Sequence, residues 1–291
     1  MSTPSGTTGG VVRSWGLGFS NADGVTRPRE LVQRACDALT KVSGMRLTPY
    51  VAQSYDDLTS AIAAGEVAFA WLPPIPAIEL LDHDIAEPLV VPAREGDSTY
   101  RSAIVVRPGT IDSIAALRGR RVAWVAPDSA SGYIVPRVYI AAEGHDVMHF
   151  FGSEVFLRDH RAVVDAVSRG EVDAGATYCS LGADGSIESG SWLTDDGKPG
   201  RPLEALTTFG PIPGDAIVAA SSVPAHARLA VTRYLLDVTN EDQVLTKLLR
   251  TKALRIATRE HFDPLRHVLR TARARGYAAL PPQSRRAIRV L

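Results

Sequence analysis

Short apolar runs alternate with amphipathic segments along most of this chain, and several amphipathic segments stop at a glycine, as at Gly44, Gly65 and Gly144. The run Val67-Ala-Phe-Ala-Trp-Leu72 is apolar on both faces, the pattern of a parallel strand covered by helices on either side. The segment 29–43 places Leu31, Val32, Ala35, Cys36 and Leu39 on one helical face and ends at Gly44, a glycine stop. This reading predicts strands at 11–19, 45–52, 67–72, 85–92 and 100–107, with helices at 29–43 and 55–64 and another starting at 77. A second series of the same kind follows, with helices at 111–118, 135–143 and 159–169 and strands at 121–125, 147–151 and 172–178. A loop rich in Gly, Ser and Asp at 182–200 breaks the rhythm. Strands at 203–209 and 216–220 then lead into a mostly helical end. The alternation predicts an α/β fold of two lobes, each a mostly parallel sheet flanked by helices, with a ligand cleft between them. The first lobe is expected to hold 11–101 and 213–291, the second 102–212, with 1–10 a flexible N-terminus.

Composition narrows the function classes. Lys plus Arg and Asp plus Glu number 32 each, for a net charge of zero, whereas a nucleic-acid binder would show a basic excess. The locally basic stretch with Arg270, Arg273, Arg275, Arg285 and Arg286 reads as a solvated helical face. Cys36 and Cys179, the two cysteines, have no metal-ligand spacing and form no C-x-x-C. No metal or cofactor is therefore expected. Cys36 falls on the buried face of the first helix, and Cys179 follows an apolar strand. No apolar run reaches the length of a membrane span, so no membrane insertion is expected. The first ten residues lack the basic and apolar regions of a secretory signal, and a cytoplasmic location is the expectation from the chain as it begins.

The segment most suggestive of chemistry is Ser129-Ala-Ser-Gly-Tyr-Ile-Val-Pro136, where the strand at 121–125 hands over to a helix. The first turn of a helix presents unpaired N–H groups and the positive end of the dipole. Two hydroxyls and a glycine at that point let backbone and side chains close around an oxyanion. The plain alternative is that Ser129 or Ser131 only caps the helix.

Several segments in order resemble the phosphonate- and phosphite-binding proteins of ABC importers, the PhnD-like family of type II periplasmic binding proteins. They are Gly65-Glu-Val-Ala-Phe-Ala-Trp71, Tyr100-Arg-Ser-Ala-Ile-Val-Val-Arg107, Ile114-Ala-Ala-Leu-Arg-Gly-Arg-Arg-Val-Ala-Trp-Val125, the Ser129–Pro136 segment, residues 160–175 and Ile212-Pro-Gly-Asp215. The resemblance covers roughly residues 11–234. It implies a type II binding-protein fold and a phosphorus group held by Ser129, Ala130 and Ser131 with backbone donors near Gly132. It further implies that His160 donates to another ligand oxygen, that Tyr100 stands at the lobe junction, and that Tyr55 contributes from the first lobe. Asp215 would accept from a protonated ligand oxygen or an amine, and Trp71 belongs to the cleft wall.

The partners implied are a small oxyanion and an ABC permease, without nucleic acid. A removed leader would make the location extracytoplasmic. The sequence departs from the family pattern in two places. Residues 176–181 carry no carboxylate, which disfavours an amine-bearing ligand, and Pro73, Pro74 and Pro76 follow Trp71 and remove backbone donors. Two other classes fit the same residues: a cytoplasmic ligand-sensing module on this fold, and an enzyme built on it with His160, Cys179 and Asp215 in one cleft. The expectation is a binding protein rather than an enzyme, since no nucleophile–base pair stands at a recognisable spacing.

Overall fold

The computed structural model describes residues 15–20, 29–92, 99–127, 129–194, 197, 200–237, 244–249, 251 and 253–274. In chain order the elements are β1 (Trp15–Ser20), α1 (Arg29–Ser43), β2 (Leu47–Ala52), α2 (Tyr55–Ala63), β3 (Val67–Leu72), α3 (Pro74–Asp82), β4 (Ala86–Pro92) and β5 (Thr99–Val106). Next come β6 (Arg121–Trp124), α4 (Val135–Ala142), β7 (Ser153–Phe156), α5 (His160–Ser168), β8 (Ala174–Leu181), β9 (Ile187–Gly190) and β10 (Glu204–Pro213). The chain closes with β11 (Ala216–Ala220), α6 (Ala225–Leu236), α7 (Val244–Leu248), β12 (Leu254–Ile256) and α8 (Asp263–Ala274).

The strands form two sheets, ordered β12-β4-β11-β3-β1-β2 and β10-β5-β8-β6-β7, with β9 added beside β8. The same plan recurs in both. Four parallel strands, β1 to β4 in the first sheet and β6, β7, β8 and β10 in the second, are joined by an antiparallel strand that has just crossed from the other half, β11 in the first sheet and β5 in the second; the short β12 and β9 are antiparallel as well. This is the two-lobed α/β architecture expected from the alternation. Gly16 and Gly18 in β1 sit where a side chain would strike Val67, Tyr50 and Leu58, so their hydrogens let β2, β3 and α2 close on the strand. Helix α8 lies beyond the first-sheet strands in sequence, yet it packs against α4 and β10 of the second sheet. Its Arg266 also reaches back to Asp82 at 2.7 Å.

Three local expectations differ from the structure. Residues 147–151 form no strand, because the Asp146 carboxylate accepts from the Met148 amide at 3.1 Å and bonds the His149 ring, bending the chain into a turn. The strand is Ser153–Phe156, an exposed edge strand whose residues carry no apolar alternation. Residues 111–118 supply only a 3-10 turn at Ala115–Leu117. The three-residue β12, paired antiparallel with β4, lies in a region read as helical. The expected flexible N-terminus at 1–10 and Arg275, Arg285 and Arg286 of the basic stretch lie outside the described residues.

Candidate functional site

The chain passes between sheets twice, from β4 to β5 and from β10 to β11. The end of each sheet at these crossings is therefore the end that faces the other sheet. In the second sheet β5 is antiparallel to β8, so that end carries the start of β5 and the carboxyl ends of β6, β7 and β8. In the first sheet it carries the carboxyl ends of β1 to β4 and the start of β11. All nine residues singled out from sequence lie at these two ends. Tyr100 is at the start of β5, paired across the ladder with Ile212. Tyr55 opens α2 just past β2, Trp71 is the next-to-last residue of β3, and Asp215 immediately precedes β11. Trp71 is only 8% exposed and belongs mainly to the core.

The segment after β6 is wound more tightly into the structure than a helix cap alone requires. The Val125 amide donates to the Gly132 carbonyl at 3.1 Å, and the Gly132 amide donates to Ser129 Oγ at 3.1 Å. The Ile134 amide donates to the Ser129 carbonyl at 3.0 Å. Residues Ala130–Ile134 thereby form a π-helical turn that runs into α4; such wide turns are common at functional sites. The Ser102 hydroxyl, from the buried middle of β5, donates to the Ser131 carbonyl at 2.6 Å and pins the turn to the sheet. The amides of Ala130 and Ser131 and the Ser131 hydroxyl have no hydrogen-bond partner among the described residues. Ser131 is only 3% exposed. Three consecutive donors thus stand at the positive end of a turn-plus-helix, with their register fixed from behind.

The turn rests on a buried scaffold. Tyr133 meets Trp124 and Phe156 edge-on, and the Arg137 guanidinium lies 5.1 Å from its ring centre. Arg137 pairs with Glu154, which also accepts from Trp124 Nε1 at 2.7 Å.

His160 arrives at the same end by a strained route. Arg158 takes φ 66°, a left-handed conformation uncommon outside glycine. Asp159 then caps α5 by accepting from the amides of Arg161 and Ala162 at 2.6 and 3.1 Å. The His160 Nδ1 bonds Thr177 Oγ1 at 2.9 Å, and that hydroxyl bonds Ser191 Oγ at 2.5 Å. The Tyr178 ring stands edge-on to the imidazole at 4.9 Å. Burial lowers the His160 pKa from 6.5 to about 4, against a smaller opposing effect of Asp159, so the ring is neutral at neutral pH.

A pH dependence of stability follows. Between pH 6.5 and about 4 the unfolded chain binds a proton that the folded imidazole does not, so stability is full above pH 6.5 and falls as pH drops through that window. The loss reaches about 3 kcal/mol at roughly 1.4 kcal/mol per pH unit. Urea unfolding of His160→Gln is expected to show a flatter pH profile between 4 and 6.5 than wild type; parallel profiles would show that the ring titrates normally.

The structure brings Ser129, Ala130, Ser131, Gly132 and His160 to one end of one sheet. It adds three residues that the sequence reading missed, Ser102, Thr177 and Tyr178. The available signal for two of them was a polar residue inside an otherwise apolar strand, since Ser102 and Thr177 are fully buried and buried hydroxyls are kept for their hydrogen bonds. Cys179 is buried, and burial pushes its thiol up to about 11 despite nearby Arg101, so it is protonated and a poor nucleophile. Among the described residues no group of three His, Cys, Asp or Glu side chains could hold a metal ion.

Comparison with known proteins adds the following. The model of a family described as the ABC-transporter periplasmic substrate-binding protein for phosphonate matches residues 25–262. Among solved structures, XAC2383 from Xanthomonas citri bound to ATP superposes with a TM-score of 0.71 at 17% identity, covering 91% of this chain and 99% of that one. The binding-protein component of an ABC phosphonate transporter from Pseudomonas aeruginosa gives 0.67 at 17% identity, covering 92% and 89%. PhnD1 from Prochlorococcus marinus in complex with methylphosphonate gives 0.63 at 16% identity, covering 91% and 99%. At such identities the structures establish a shared fold.

Proposed function

Because the chain belongs to the family of periplasmic phosphonate-binding proteins of ABC transporters, we propose that it captures a small phosphorus oxyanion between its lobes and passes it to an ABC permease. The ligand is of the phosphonate, phosphite or phosphate type. The observation that carries this reading is the turn Ala130–Ile134, with its run of amides and the Ser131 hydroxyl left for a ligand. Neutral donors fixed in advance bind an oxyanion without first having to reorganise. Two similarly folded proteins were solved with a methylphosphonate and with ATP, both of which carry phosphorus oxygens.

In this reading the Ala130 and Ser131 amides and the Ser131 hydroxyl take two oxygens, while Ser129 and Gly132 hold the turn's shape. With Thr177 donating to His160 Nδ1 and accepting from Ser191, one of the assignments that these two bonds allow, Nε2–H is left to donate to a third oxygen. The first lobe closes from the other side with Tyr55 and Asp215, and Asp215 accepts the proton of a monoprotonated ligand. Trp71 forms part of the wall, and Tyr100 stands at the crossing. The lobes divide at the two crossings, near residues 101 and 213, and closure turns on them. The protein acts outside the cytoplasm and binds without turnover. No helix among the described residues is long and apolar enough to cross a membrane.

The test is a ligand-panel melt. Phosphate, phosphite or methylphosphonate is expected to raise Tm, and the absence of a shift with all of them would remove the reading.

A further inference from the structure

Two aromatic rings are left open at the end of the second sheet that faces the first. Phe156 is 40% exposed and Tyr178 39%. Phe156 touches the oxyanion turn directly, and Tyr178 is separated from it by one residue. Tyr178 pairs in the ladder with Ser102, the residue that clamps Ser131, and opposite partners in a ladder point to the same face. Its ring also meets His160 edge-on. Phe156 meets Tyr133, a residue of the turn itself, edge-on at 5.0 Å. Strands β7 and β8, which carry these rings, lie on either side of β6, and the turn springs from the end of β6. The open rings therefore flank the oxyanion donors on two sides.

We propose that Phe156 and Tyr178 form a subsite for an apolar, preferentially aromatic, substituent on the bound phosphorus oxyanion. The ligand class is then an arylphosphonate or a similar organophosphorus anion carrying a flat apolar group, rather than bare phosphate or phosphite. This rests on the oxyanion reading above and specifies its ligand. Open aromatic faces bordering a polar anchor gain by covering themselves with apolar area and by offset or edge-on ring contacts. The chemistry beside them argues against a cationic substituent, because residues 176–181 offer hydroxyl, thiol and apolar side chains and no carboxylate.

The test is calorimetric titration of the full chain with phenylphosphonate, methylphosphonate and inorganic phosphate. Phenylphosphonate is expected to bind about tenfold more tightly than methylphosphonate, the size of a stacking contribution. Phe156→Ala and Tyr178→Ala are each expected to pull that ratio toward one. The ratio, rather than either affinity, is the readout, since Tyr178 also touches His160 and its loss would weaken both ligands together. Phe156 meets Tyr133 of the turn rather than His160, so the two variants disturb different parts of the oxyanion site and only a loss of the subsite lowers the ratio in both. Equal affinity of wild type for the two phosphonates, or a ratio unchanged in both variants, would overturn the subsite and leave the oxyanion reading standing. Failure of all three compounds to bind would overturn both.

Discussion

Gly132→Ala is expected to lose ligand binding by roughly 100-fold or more while the protein still folds. A Cβ at this position would lie 2.6 Å from Val125 Cβ and 2.8 Å from Ser129 Oγ, separations that packed carbon atoms do not tolerate. Neither neighbour can retreat easily. Val125 is held at the end of β6 by its own bond to the Gly132 carbonyl, and Ser129 Oγ is the acceptor for the Gly132 amide. The turn must therefore swing, carrying the Ala130 and Ser131 donors with it. Two hydrogen bonds to a charged ligand are worth about 1.5–3 kcal/mol each, and about 1.4 kcal/mol is a factor of ten, which sets the expected loss. The folding cost of such overpacking is smaller, about 1–3 kcal/mol, and Ser102 still ties the segment to the sheet. Calorimetric titration and a urea melt of the same sample separate the two effects. Wild-type affinity in this variant would mean that the turn does not hold the ligand.

The second large effect concerns stability. Glu154→Ala is expected to cost about 2–4 kcal/mol. Arg137 is only 8% exposed, and its guanidinium lies among the rings of Trp124, Tyr133 and Phe151. Removing Glu154 leaves that charge with a single carbonyl partner, Val147, at 2.8 Å, and also strips the acceptor from Trp124 Nε1. Breaking a buried pair from one side costs about 3–5 kcal/mol; the expected value is lower because the Glu154 side chain is partly open to water. Glu154→Gln keeps an acceptor for the indole and is expected to recover roughly half. Because Tyr133 belongs to the turn, weakened ligand binding should accompany the loss of stability in the alanine variant. A urea midpoint within experimental error of wild type for Glu154→Ala would show that the pair is a surface feature of little weight.

These two sites differ in how far the sequence announced them. The turn was legible because a strand, a Ser-x-Ser-Gly and a helix with Pro136 in its first turn are all local patterns. The two-lobed fold was legible for the same reason, since glycine stops and apolar runs recur with the period of βα units. The scaffold beneath the turn was not. Glu154 sits in an exposed edge strand with no apolar alternation, and its partners Trp124 and Arg137 lie 30 and 17 positions away. Only the pairing of β6 with β7 brings them together. The same holds for Ser102 and Thr177, whose roles depend on which strand lies beside which. Asp146 turned an apolar stretch at 147–151 away from the sheet by a side-chain bond that apolar periodicity does not register. Residues whose function rests on cross-strand neighbours thus stayed hidden, while those whose function rests on a local helix start did not.

The central claim is that the donors around Ser131 hold a phosphorus oxyanion, and the most direct measurement is a thermal melt of wild type and Ser131→Ala with methylphosphonate or phenylphosphonate. A ligand at about 100 times its dissociation constant stabilises by roughly 2.7 kcal/mol, so wild type should gain about 5 °C or more. Ser131→Ala should fold normally and gain little at the same concentration. A full shift in Ser131→Ala, or none in wild type, would contradict the account.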